Sequence, residues 1–134
     1  MQFKSFGIAI FCAVAFSAAL TLPVAAHHSH GNYDLSKWTP MEGVVKQVIL
    51  VVPHSIVYMD VKDQKGEVTV WSLEATSVRG VLANGVKRDD VKAGDRIKVR
   101  CHLLRDGSPG CLLGFITPDH GEVARGHGVE REWD

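Results

Sequence analysis

The sequence predicts an all-β protein: a small five-stranded barrel carrying one short helix. Three observations point there. Val/Ile-rich stretches of about strand length recur with period-two alternation. Gly-, Asp-, Asn- and Pro-rich turns separate them. A single helical stretch falls between the third and fourth strands.

The chain opens differently, with an export signal expected over residues 1–26. Lys4 supplies a positive start, Ile8 to Leu22 an uncharged apolar run, and Pro23-Val24-Ala25-Ala26 a small-residue end. The run has 15 residues, short of the ~20 that span a bilayer as a helix. Val24 and Ala26 then stand third and first before a cut ahead of His27. The mature protein is expected in the periplasm, without a membrane anchor.

Residues 27–38 have no apolar period and read as a His-rich arm. Residues 39–117 read as the barrel. Met41 to Val52 is a long first strand, with Gly43 marking a bulge and Pro53 ending the ladder. In Ser55 to Lys62, Val57, Met59 and Val61 share one face. Asp63-Gln64-Lys65-Gly66 turns the chain into Glu67 to Leu73. A helix over Ser77 to Ala83 stops at Asn84-Gly85. Ala93-Gly94-Asp95 launches Arg96 to Leu103, where Ile97, Val99, Cys101 and Leu103 alternate with Lys98, Arg100 and His102. Arg105 to Gly110 turns into the last strand, Cys111 to Ile116. Residues 118–134, polar and Gly-rich, read as a flexible tail. Strand, strand, strand, helix, strand, strand is the order of an OB-like Greek-key barrel.

Loss of the signal removes Lys4 alone among charged residues, leaving 14 Lys+Arg against 15 Asp+Glu. So balanced a chain gives no global steering toward nucleic acid or an anionic membrane. All seven histidines and two of the three cysteines lie beyond residue 26.

Ala26-His27-His28-Ser29 begins the arm, Pro53-His54 follows the first strand, and Trp71-Ser72-Leu73-Glu74 closes the third. In these motifs the chain resembles a family of small exported bacterial proteins of unknown function. Lys92-Ala93-Gly94-Asp95 is similar to that family's Pro-Gly-Asp turn, with alanine in the proline's place. Val52 stands where the family usually has asparagine. The resemblance implies export and a barrel, and it supplies no activity.

The N-terminal histidines are the sharpest chemical feature. A cut before His27 leaves its α-amine and imidazole able to chelate one metal ion. A further imidazole completes a tetragonal nitrogen site of the kind copper(II) accepts. A cut one residue earlier puts His28 third, which also chelates copper(II). The competing reading is a polar arm that binds nothing. His54 is the expected partner on the barrel. Centring the second hairpin on residues 64–65 sets Glu74 beside Ser55, hence near His54, as an outer carboxylate orienting the imidazole. A surface ion pair is the plainer alternative. The same register sets Tyr58 beside Trp71, a stacking platform for a ligand or simply a stabilising pair. Symmetric pairing about Asp106 makes Cys101 and Cys111 direct cross-strand neighbours. In an oxidising compartment that favours a disulfide over thiolates serving copper(I). No nucleophile elbow, HExxH or paired acidic motif is present, so no enzyme activity is expected. The expected role is an exported binding or accessory protein, with copper the leading ligand. A metal-free interaction module, or a small-ligand carrier in the barrel mouth, stands behind it.

Overall fold

The computed structural model describes residues 30–119 and 123–134. Residues 1–26, expected above as an export signal, and His27, His28 and His120 lie outside the described residues. The strands are β1 (Thr39–Ile49), β2 (Ile56–Lys62), β3 (Val68–Glu74), β4 (Arg96–Leu103), β5 (Gly110–Pro118) and β6 (Arg131–Glu132). Helix α1 (Val78–Ala83) lies between β3 and β4. β1 pairs with both β2 and β4, β2 with β3, and β4 with β5, all antiparallel. A short parallel pairing of β3 with β5 closes the barrel. This is the OB-like Greek key expected from the sequence.

Alternation accounts for most of the core: Val57 and Met59 of β2, Leu73 of β3, and Ile97, Val99 and Cys101 of β4 are buried. A bulge at Gly114 in the β4–β5 pairing lets both Leu113 and Ile116 of β5 be buried with them. Helix α1 begins where Ser77 Oγ accepts the Gly80 N–H at 3.3 Å. It ends at Asn84, followed by Gly85 at φ +83°.

β1 ends at Ile49 rather than Val52, and its bulge lies between Val45 and Gln47, not at Gly43. Gly43 has a different job. A β-carbon there would collide with the Asp60 carbonyl and the Met59 side chain. Glycine lets β1 cross closely over β2.

Two hairpin registers differ from those the sequence predicts. After β2, Asp63 N–H donates to Glu67 O at 2.9 Å, and Asp63 Oδ1 accepts the Lys65 and Glu67 N–H groups. With Gly66 at φ +88°, Gln64-Lys65-Gly66 forms a three-residue loop centred on Lys65. Tyr58 therefore faces Ser72, and Trp71 faces Met59. Tyr58 and Trp71 lie on opposite faces, so the sequence-predicted platform is not formed. The β4–β5 turn is likewise centred one residue later, on Gly107. Cys101 faces Leu113 and Cys111 faces Leu103. The cysteines are diagonal neighbours, not direct ones, yet their Cα atoms are 5.8 Å apart and the disulfide is formed.

Residues 123–134 are not a flexible tail. β6 pairs with β5, and the Trp133 indole is buried in the core at 2% exposure. Trp133 N–H donates to Gly114 O at 2.8 Å, and Trp133 O accepts the Thr76 N–H at 2.9 Å. Arg125 fastens the segment further, donating to Asp95 Oδ2 at 2.7 Å and to Asp89 O at 2.9 Å. A two-residue strand carries no readable period, which is why composition alone misassigned it.

Candidate functional site

The arm's placement begins with a single aromatic residue. Tyr33 is the one apolar ring between His30 and Leu35, and it is 8% exposed. A 3-10 turn over His30–Asn32 precedes it. Tyr33 then bridges to Leu104, while Asp34 N–H donates to Leu103 O at 2.8 Å. Arg105 seals the attachment, its backbone N–H donating to Asn32 O at 2.9 Å and its Nε to Tyr33 O at 3.0 Å. From His30 onward the arm is docked along the continuation of β4.

Docking brings the Tyr33 hydroxyl to the barrel rim, where it donates to Glu74 Oε2 at 2.6 Å. The other carboxylate oxygen, Glu74 Oε1, lies 3.2 Å from His54 Nδ1. Tyr33, Glu74 and His54 thus form one chain of contacts joining the arm, the end of β3 and the loop before β2. Ser55 positions that loop: its backbone pairs with Ala75 and Thr76 at 2.8 and 3.0 Å. His54 and Glu74 keep about one third of their side-chain surface in solvent, so the rim is accessible. Burial, then the bond to Glu74 and its negative charge, hold the Tyr33 phenol well above its ordinary range. The phenol is therefore a donor at any physiological pH.

The sequence brought His54 and Glu74 together, and here they meet. Tyr33 was missed; a lone aromatic in a polar arm was the available signal. His27 and His28 lie outside the described residues. Among the described residues no three His, Cys, Asp or Glu side chains converge as a metal site. Cys101 and Cys111 are bonded to each other and buried, so thiolate ligation of copper(I) is not what this pair is built for.

A second cluster surrounds His102, also unforeseen. Trp38 stacks on the His102 ring with centroids 3.8 Å apart, and His102 Nδ1 lies 2.7 Å from Lys37 O. Trp38 sits over Gly114, where a β-carbon would meet its ring. Arg100 lies 4.1 Å above the Phe115 ring and makes a two-pronged contact with Glu130 at 2.7 and 3.0 Å. Beside it runs a cleft of about 480 Å³ lined by Pro40, Met41, Glu42, Lys98, Arg100 and Glu130, among others. Of its charged residues, Arg100 is paired with Glu130 and Lys98 lies 3.4 Å from Asp119.

Neither a search of curated proteins nor one of solved structures returns a match. A family model described as a family of unknown function, DUF6152, matches residues 15–113. That span runs through the arm, the rim and β1–β4 into β5, and it stops short of β6 and Trp133. With most of its length matched, this chain is a member of the DUF6152 family.

Proposed function

We propose that this is an exported, periplasmic accessory protein that binds copper(II) where its N-terminal arm meets the barrel rim. In this reading a signal peptidase cuts before His27. The freed α-amine and the His27 imidazole then take two positions of a tetragonal copper site, and His54 contributes a third nitrogen. His28 is the alternative donor if the cut falls one residue earlier. Glu74 orients His54 and raises its basicity as a ligand, and it does not itself touch the metal. The role is binding or delivery rather than catalysis.

The observation that carries the reading is the Tyr33–Glu74–His54 chain of contacts. It ties Tyr33, six residues after His27, to His54 at the rim. Only residues 27–29 stand between the proposed cut and the arm docked from His30, a span of about 10 Å at most, which keeps the new terminus close to the docked arm. The packed interior disfavours the small-ligand carrier: Met59, Leu73, Leu113, Ile116 and Trp133 fill it, and an apolar guest would have to displace them. The cleft beside Arg100 is the observation that favours the second reading, a metal-free interaction module.

Copper titration of the untagged mature protein separates the two. The copper reading expects one copper(II) per chain, weakened most by His27→Ala and measurably by His54→Ala. Equal binding by the wild type and a chain lacking residues 27–30 would refute it and leave the interaction module.

A further inference from the structure

We propose that the free half of β3 is a docking edge for a second copy of this chain, the two copies pairing antiparallel about a two-fold axis through Thr69. The proposal is independent of the copper reading and uses none of its residues.

β3 stands at the end of the sheet order β3-β2-β1-β4-β5-β6. Its closing contact with β5 covers only Ser72, Leu73 and Glu74. Residues Val68 to Trp71 therefore pair with β2 on one side and, among the described residues, with no strand on the other. Val68 and Val70 lie on the outer face beside Lys62 and Asp60 of β2, 59% and 41% exposed.

Strand parity decides where the backbone points. In an antiparallel pair, residues that exchange both hydrogen bonds alternate with residues that exchange none. Asp63 N–H donates to Glu67 O at 2.9 Å, and Ser72 N–H donates to Pro109 O at 3.1 Å, away from β2. Both anchors give the same phase. Thr69 and Trp71 turn their N–H and C=O toward β2, while Val68 and Val70 turn theirs to the open edge. Two residues with two groups each leave four backbone groups unpaired among the described residues.

A two-fold axis through Thr69 satisfies all of them. Val68 of each copy then faces Val70 of the other as a pair that exchanges both bonds, giving four bonds across the seam. Neighbouring centres do worse. An axis through Val70 sets Val68 opposite Ser72, whose N–H is already given to Pro109. An axis through Val68 sets Val70 opposite Gly66, inside the turn. A centre between two residues is excluded, because it would bring opposite faces together. The side chains match in the same register. Valine meets valine on the outer face, and Thr69 meets its own copy on the other, a favourable cross-strand pair. Val68-Thr69-Val70-Trp71-Ser72-Leu73 has neither the charge nor the proline that keeps an edge from pairing. The near-balanced net charge gives a second copy no long-range repulsion to overcome. Together these features favour a second copy over an unlike strand. So short a seam makes a weak dimer, at the low end of interface size.

Sedimentation equilibrium and amide hydrogen exchange of the mature protein, from about 10 µM to about 1 mM, test this. The expected result is monomer at the low end and dimer at the high end. The Val68 and Val70 amides should exchange freely in dilute protein and slow at least roughly tenfold in concentrated protein. Those of Thr69 and Trp71, bonded to β2, should be protected throughout. Val70→Pro removes the Val70 N–H, which no bond within the described chain uses, and with it two of the four seam bonds. The dimer dissociation constant should then rise at least roughly tenfold. If that variant fails to fold, Val68→Lys, at an exposed position, should weaken the dimer similarly by setting a charge against Val70 of the other copy. Protein that stays monomeric at the highest concentration overturns the proposal. So does a dimer that leaves the Val68 and Val70 amides unprotected, or one that both variants leave intact. Protection of both amides in dilute monomer overturns it too, because another segment of the chain would then cover the edge.

Discussion

Trp133→Ala should cost this protein about 3–5 kcal/mol of stability, the range measured for emptying a buried tryptophan site. The figure follows from where the indole lies. At 2% exposure it is among the largest fully buried side chains, packed in one cluster with Val81, Val86, Val91 and Ile116. Little relaxation is available to fill the void. The neighbouring backbone is held by the Trp133–Gly114 and Thr76–Trp133 hydrogen bonds, and Asn84 Nδ2 donates to Asp134 O at 3.1 Å. The assay is urea unfolding of the mature protein followed by far-ultraviolet circular dichroism, where the loss should move the midpoint on the order of 2 M. If the alanine variant fails to fold, Trp133→Phe should fold with a smaller loss, since it keeps most of the apolar volume. A change within about ±0.5 kcal/mol, as for an exposed mobile tail, would refute the placement of this residue in the core.

Other outcomes follow from the same contacts. Denatured, unreduced mature protein should titrate with no free thiols, and Cys101→Ala/Cys111→Ala should lose about 2–3 kcal/mol, near the chain-entropy value for so small a loop. Two reactive thiols would mean that the bond is absent. Gly43→Ala should destabilise by about 1–3 kcal/mol in the same urea assay, because the new methyl meets the Asp60 carbonyl and Met59; a neutral result would show that β1 does not cross β2 as described. Stability should also fall as pH rises above about 10, the ordinary tyrosine range. There the unfolded chain ionises its Tyr33 phenol, while the folded state keeps the proton against its raised pKa. Tyr33→Phe should flatten part of that alkaline loss, and an unchanged slope would contradict the burial and the bond to Glu74.

Much of the barrel was legible because its signals are local. β4 was readable from Arg96 to Leu103 because four apolar residues alternate there without interruption. The helix was readable because Ser77 and Asn84-Gly85 mark both its ends. The His54–Glu74 contact survived a one-residue error in register. His54 lies in the loop before β2, outside the ladder, and so is not bound by its alternation. Tyr58 and Trp71 sit within the ladder, and for them the same error changed faces. What escaped was long-range. Nothing near Trp133 in sequence says that β5 and the start of α1 leave room for an indole. Nothing near Tyr33 says that its hydroxyl will find a carboxylate 41 residues away.

Electron paramagnetic resonance of copper(II)-loaded, untagged mature protein, compared with its His54→Ala variant, tests the shared arm-and-rim site most directly. Nitrogen couplings count the imidazole and amine donors in the copper plane. If arm and rim hold one ion together, the wild type shows three nitrogens and His54→Ala loses one. The same three-nitrogen spectrum in both proteins, or no bound copper in either, would contradict it.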